Sequence, residues 1–310
     1  MLHNSQNNAR DQSARPVPQV SFEFFPPKTP EMEKILRASI ARLAPINPNF
    51  VSVTYGADGT TRERTHKVVE HILRETDLTP AAHLTCVDAP RDAVNEVIRS
   101  YWALGVRHVV ALRGDPAGGV GTNYQPHPNG YENGADLVAG LKAIADFEIT
   151  VSAYPEKHPE SANFHVDFDM LQAKIDNGAS RAITQFFFSN DVYFRYLDKV
   201  RARGIDIPIV PGLIPIVNFE QTARFAKRCG ASLPPSLVAR FEGLENEPEI
   251  QRLVAAAVAA EQVNALREQG IETYHFYTLN RSNLVYAICR ILGLGAIEAD
   301  APREDVPHAS

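Results

Sequence analysis

Eight short apolar runs, each followed by a segment with helical periodicity, leave this chain few ways to fold. The runs are VSFEFF (20–25), FVSVTYG (50–56), AAHLTCV (81–87), HVVALRG (108–114), ITVSAYP (149–155), RAITQFFF (181–188), IPIVPGLIP (207–215) and TYHFYTL (273–279). They are rich in Val, Ile, Phe, Tyr and Thr, and most stop at Gly or Pro, which reads as strands. TPEMEKILRASIARL reads as a helix capped by Thr29, with Pro30 in its first turn. DAPRDAVNEVIRSYWALG reads as another, capped by Asp88 and ended by Gly105. DFDMLQAKIDNG and SNDVYFRYLDKVRARG repeat the pattern, the latter with Ser189 or Asn190 as cap, and 234–270 holds extra helices between strands seven and eight. Alternating strands and helices imply parallel pairing through right-handed crossovers. Eight such units close into a (β/α)8 TIM barrel, an α/β fold; a doubly wound sheet would use fewer strands and reverse their order.

A barrel of this kind spans one domain, expected at 19–296, with a disordered polar leader at 1–18 and a flexible tail at 297–310. Hydrophobic residues at 44% and charged residues at 22% suit a packed enzyme-sized core. The net charge of −6, without a long basic run, excludes a general nucleic-acid binder. Cys86, Cys229 and Cys289 are far apart and form no C-x-x-C pair, which suits a reducing cytoplasm and offers no disulfide framework or thiolate metal cluster. No apolar run reaches 18 residues, and the N-terminal segment lacks the apolar middle of a signal peptide, so no membrane association is expected.

Function in such a barrel collects at the C-terminal strand ends. Glu23, Thr54, His83, Arg113 with Asp115, Tyr154 with Glu156 and His158, Gln185 and Tyr277 all fall there. Strand alternation puts Ser21, Glu23 and Phe25 on one side, Phe22 and Phe24 on the other. Glu23 is either a rim residue in water or an acid whose desolvation by phenylalanine keeps it protonated near neutral pH. ALRGDP (111–116) is either a turn with a surface ion pair or an anion-binding arginine beside a carboxylate that reads a polar heterocycle. GGVGTNY (118–124) lacks the third glycine of a phosphate loop and reads as a flexible loop. AYPEKHPE (153–160) has no metal-ligand spacing and either binds a ligand or lines a loop. Gln185 is either a satisfied core amide or a reader of adjacent donor and acceptor atoms. In HFYTLNR (275–281), Tyr277, Asn280 and Arg281 fit a ligand site, or Asn280 caps the last helix. No nucleophile elbow or metal cluster is present.

Taken in order, SFEFFPPK, FVSVTYGA, HLTC, ALRGDP, AYPEKHPE, RAITQFFF, PGLIPI and HFYTLNRS closely resemble the bacterial 5,10-methylenetetrahydrofolate reductase family over about residues 19 to 294. The resemblance implies a barrel holding FAD, which NADH or NADPH reduces before methylenetetrahydrofolate takes the nicotinamide's place and leaves as 5-methyltetrahydrofolate for methionine synthesis. It implies that Glu23 is the general acid protonating N10 of the folate, and that Asp115 is a catalytic carboxylate near flavin and pterin. Thr54, His83, Arg113, Gly114, Asp115, Tyr154, His158, Asp167, Lys174 and Ala179 match cofactor-binding positions. Glu23, Gln185, Phe219, Tyr277 and Arg281 match substrate-binding ones, with Gln185 on folate and Phe219 stacking on nicotinamide or the folate tail. A cytoplasmic homo-oligomer without metal is implied, and inhibition by S-adenosylmethionine is not expected. A flavin barrel of the proline dehydrogenase kind would leave Gln185 with Asp115 unexplained. A non-redox folate-binding module would hold no flavin. The insertion 118–134, rich in Gly, Pro and Asn, departs from the family pattern.

Overall fold

The computed structural model describes residues 16–55, 62–116 and 124–295, so most of the leader, the tail 297–310 and part of the 118–134 insertion lie outside the described residues. The strands are β1 (Gln19–Phe24), β2 (Phe50–Val53), β3 (Pro80–Thr85), β4 (His108–Leu112), β5 (Glu148–Ala153), β6 (Arg181–Thr184), β7 (Ile209–Val210), β8 (Gly212–Leu213) and β9 (Thr273–Tyr277). All pair in parallel, in the order β7-β6-β5-β4-β3-β2-β1-β9-β8. The two ends of that order are one stretch of chain. The seventh barrel strand is divided at Pro211, with β7 paired to β6 and β8 paired to β9. Proline has no N–H to give to a ladder, and the strand changes partner there, its Pro211 carbonyl accepting from His275 N–H at 3.0 Å. The sheet thereby closes into the expected (β/α)8 barrel.

The helices are α1 (Pro30–Leu43), α2 (Arg62–Glu75), α3 (Arg91–Leu104), α4 (Gly134–Ile144), α5 (Phe164–Asp176), α6 (Asn190–Ala202), α7 (Phe219–Cys229), α8 (Pro235–Ala239), α9 (Pro248–Glu268) and α10 (Ser282–Ile291). Three of them, α7 to α9, lie between the seventh strand and β9, and two of these, α8 and α9, fall within 234–270, where extra helices were expected. Thr29 caps α1, its Oγ1 accepting from Met32 N–H at 3.3 Å. Asp88 does not cap α3: it sits at φ 52° in the turn before it, and Pro90 holds the cap position without a side-chain bond. Nor does Asn280 cap α10. Its amide clamps the main chain of Phe25 instead, accepting from the N–H at 2.9 Å and donating to the carbonyl at 3.0 Å.

Alternation divides the apolar residues of the strands between the outer and inner faces of the barrel. Val20, Phe22 and Phe24 join Leu36, Ile40, Val285 and Ile288 in the large core between the strands and the helices. A smaller cluster inside the barrel is made by strands alone, from Phe50, Ala81, Val110, Ile183 and Val210. Buried polar groups share that interior, including Ser21, Ser52, His83, His108, Thr150 and His275.

The closing strand is tied from both sides. Tyr277 donates across the barrel from β9 to the Thr184 carbonyl at 2.7 Å, and Thr184 Oγ1 accepts from Gly212 N–H at 2.9 Å. A Cβ on Gly212 would overlap the Thr184 carbonyl oxygen and come within 2.7 Å of Tyr277 Cε2, so only glycine lets the ring pass. Gly212→Ala is expected to cost about 1–3 kcal/mol of stability through overpacking, read as a lower denaturation midpoint. An unchanged midpoint would mean that the closure can shift to make room.

Candidate functional site

Glu23 projects from β1 into the barrel interior, between its register partners Ser52 on β2 and Tyr277 on β9. Its side chain keeps 12% exposure, and Oε2 lies 3.5 Å from His83 Nε2 and 3.9 Å from His275 Nε2. Phe22 and Phe24 do not desolvate it, contrary to the sequence-based expectation, because they face the helices. The acid is instead surrounded by imidazoles and a phenol. Burial pushes His83 down to about 4 against the pull of Glu23, so this imidazole is neutral at pH 7, and its buried Nε2 has no hydrogen-bond partner among the described residues. Burial, with Glu23 adding to it, holds the Tyr277 phenol well above its ordinary value. His275 Nδ1 lies 2.8 Å from Ser21 Oγ.

A second group forms over β4 and β5. Arg113 Nη1 pairs with Glu160 Oε2 at 2.7 Å, its Nε donates to the Gly114 carbonyl at 3.0 Å, and its guanidinium lies 4.3 Å from the Tyr124 ring centroid. Gly114 takes φ 88°, and a side chain there would strike Val87. On α5, opened by an Asn163 cap, Asp167 and Lys174 share a face two turns apart. Asp167 accepts from His158 N–H at 2.8 Å and from Ser161 Oγ, which fixes the loop after β5. The buried Lys174 donates to the Ser152 carbonyl at 3.2 Å, and burial pushes it down to about 8 although Asp167 opposes. Tyr154 meets His158 edge-on at 4.7 Å. Asp115 is half-buried, and its charge adds to the effect of burial in raising the Tyr154 phenol and the Cys229 thiol, the latter to about 11.

The remaining candidates are distributed unevenly. Thr54, at the end of β2, donates its N–H to Phe24 O at 2.9 Å. Gln185 lies just past the end of β6 and is half-buried, its side-chain Oε1 accepting from Phe186 N–H at 3.0 Å. Phe219 opens α7 and stacks on Phe241 with centroids 4.5 Å apart, so one ring face is occupied by protein. Arg281 is exposed and lines a cleft with Asn218, Gln221 and Arg252. Ala179 is not brought to the mouth: it lies in the turn that ends α5 and leads into the start of β6, its N–H bonded to Lys174 O at 3.0 Å. Glu156 accepts from Ser232 N–H at 3.0 Å, which ties its loop to the segment after α7. Sequence reasoning missed Glu160, His275 and Thr184 as parts of the site. His275 could have been found by alternation, since it shares a face with Tyr277.

The depressed Lys174 sets a pH dependence. Between about 8 and its ordinary 10.5 the unfolded chain binds a proton there that the folded protein does not, so stability rises with pH across that window. Wild-type stability relative to Lys174→Met should therefore increase from pH 8 to pH 10 in denaturant titrations. A difference that stays flat or shrinks would contradict the buried placement.

Comparison with known proteins shows the family of this chain. A family model described as methylenetetrahydrofolate reductase matches residues 8–293. The 5,10-methylenetetrahydrofolate reductase of Salmonella typhimurium is 47% identical over 296 residues, covering 94% of this chain and 98% of that one. Its Escherichia coli counterpart is 46% identical with the same coverage. A probable methylenetetrahydrofolate reductase (NADH) of Oryza sativa is 31% identical, over 93% of this chain and 50% of its own length. Among solved structures, an uncharacterized protein from Clostridium thermocellum that binds two copies of 5-methyl-5,6,7,8-tetrahydrofolic acid superposes with a TM-score of 0.60 at 16% identity, covering 90% of this chain and 94% of that one, a likeness of fold.

Proposed function

This chain belongs to the methylenetetrahydrofolate reductase family, and from that premise we propose that it reduces 5,10-methylenetetrahydrofolate to 5-methyltetrahydrofolate with NADH or NADPH through bound FAD. The two half-reactions would share one site in a cytoplasmic homo-oligomer, and the product would supply methyl groups for methionine synthesis. Among the described residues no helix is long and apolar enough to cross a membrane.

Bound FAD would supply the hydride chemistry. The donor set at the mouth suits such a group. Arg113 and the buried Lys174 offer cationic donors fit for a diphosphate, and the unpartnered Nε2 of His83 fits the polar edge of a ring. Thr54, Gly114, Asp115, Tyr154, His158 and Asp167 would complete the cradle. Ala179, at the other end of the barrel, is not proposed as a contact.

The observation that carries the reading is the setting of Glu23, held inside the barrel at its mouth with the neutral imidazole of His83 3.5 Å away. A carboxyl at that place can deliver a proton to N10 of the folate, opening the five-membered ring so that its exocyclic carbon can accept hydride. Gln185 would bond the pterin edge with the amide N–H groups its own carbonyl leaves over. The negative charge of Asp115 would stabilise the cation developing on the substrate. Phe219 would offer its open face to the nicotinamide or the folate tail, and Tyr277 and Arg281 would bound the substrate side.

Protonation belongs to the second half-reaction only. Glu23→Gln is therefore expected to retain FAD and its reduction by NAD(P)H while slowing folate reduction about 100-fold or more, resolved by stopped-flow of each half-reaction. Slowed flavin reduction with intact folate reduction would overturn the assignment. Asp115→Asn should raise the potential of the bound flavin in reductive titration, since a nearby negative charge is lost; an unchanged or lowered potential would remove Asp115 from the cofactor's surroundings.

A further inference from the structure

The polar groups beneath Glu23 exceed what proton donation by a lone carboxyl requires. Ser21 is buried, and its Oγ lies 2.8 Å from His275 Nδ1 and 3.3 Å from the Tyr274 carbonyl. A serine hydroxyl carries one proton, so it can donate to only one of these acceptors at a time. The opposite ring nitrogen, His275 Nε2, lies 3.9 Å from Glu23 Oε2. That separation is longer than a hydrogen bond, and separations of this kind in unliganded sites tighten when the reacting group arrives or changes charge.

We propose that Ser21 and His275 form a tautomeric switch that follows the protonation state of Glu23, which makes both of them positioning residues for the acid. The inference rests on the reading of Glu23 as proton donor. With Glu23 ionised, the Ser21 hydroxyl donates to Nδ1, the ring proton sits on Nε2, and that N–H turns towards the carboxylate. With Glu23 protonated, the hydroxyl turns to the Tyr274 carbonyl, its oxygen accepts Nδ1–H, and Nε2 presents a lone pair to the carboxyl O–H. The two states differ by one proton, taken from water at the mouth: Glu23 gains it, and the ring N–H changes nitrogen.

The pair is set among neutral rings and hydroxyls. The titratable groups facing Glu23 and His275 are His83 from β3, His108 from β4 and Tyr277 from β9. Burial holds both of those histidines neutral, His108 bonding Thr150 Oγ1 at 2.8 Å, and Arg181 on β6 acts on His108. From β2 come only the neutral Ser52 and Phe50, the Phe50 ring stacking on His275 at 5.9 Å. A neutral imidazole changes tautomer without changing its charge.

The test is nitrogen NMR of the holoenzyme carrying 15N-labelled histidine, followed across pH, with Ser21→Ala and Glu23→Gln alongside. Wild type should show the His275 proton moving from Nε2 to Nδ1 as the pH is lowered, and Glu23→Gln should lock one tautomer. Ser21→Ala should abolish the change, slow the folate half-reaction about 10-fold to 100-fold through loss of positioning, and displace its pH profile. The NAD(P)H half-reaction should remain within about twofold of wild type, a separation that general loss of packing would not produce. A tautomer that is constant with pH in wild type, or that changes identically in Glu23→Gln, overturns the switch. A switch intact in wild type beside a Glu23→Gln enzyme that reduces folate normally would sink the acid assignment and leave the switch standing.

Discussion

Closure of the barrel runs through five residues, Ile209 to Leu213, and the site depends on how that closure is held. The hydroxyl that spans the gap belongs to Tyr277, and the same side chain walls the pocket of Glu23. Its proton is committed to the Thr184 carbonyl, so the phenol faces the acid as a fixed dipole. Gly212 makes this possible by leaving the space the ring occupies. Fold and chemistry thus meet in one hydrogen bond: loosening the closing strand would also loosen the wall against which the acid works.

Two electrostatic regions follow from this frame. Around Glu23 the groups are imidazole, phenol and hydroxyl, and burial holds His83, His108 and Tyr277 neutral at neutral pH. Around β4, β5 and α5 the groups are charged and paired, Arg113 with Glu160, and Lys174 beside Asp167. Separating a neutral pocket around Glu23 from a charged rim would suit the proposed reaction, in which FAD stays while smaller reactants exchange. Neither region could occupy the other's place, because a carboxyl beside Arg113 or Lys174 would be held ionised.

The barrel was legible because strand and helix periods alternate eight times and each unit is local. What needed distant partners was not. The division of the seventh strand at Pro211 depends on which neighbours it meets, and IPIVPGLIP alone reads as one strand. Asn280 looks like a helix cap until Phe25, 255 residues earlier, is placed against it. Glu23 stands out in the sequence as an unusual acid, yet the alternation that separates it from Phe22 and Phe24 also sends those rings to the helices. The shielding expected from sequence neighbours comes instead from His83 and His275, on strands far along the chain. Family motifs pointed to Arg113, but its pairing with Glu160 across 47 residues required the folded chain.

The central claim is most directly tested by the visible spectrum of the purified protein under anaerobic conditions. A flavin spectrum that bleaches on adding NADH or NADPH and recovers on adding 5,10-methylenetetrahydrofolate would support the whole account and name the reductant. A colourless protein that also refuses added FAD would leave the barrel intact and contradict the flavin-dependent reductase.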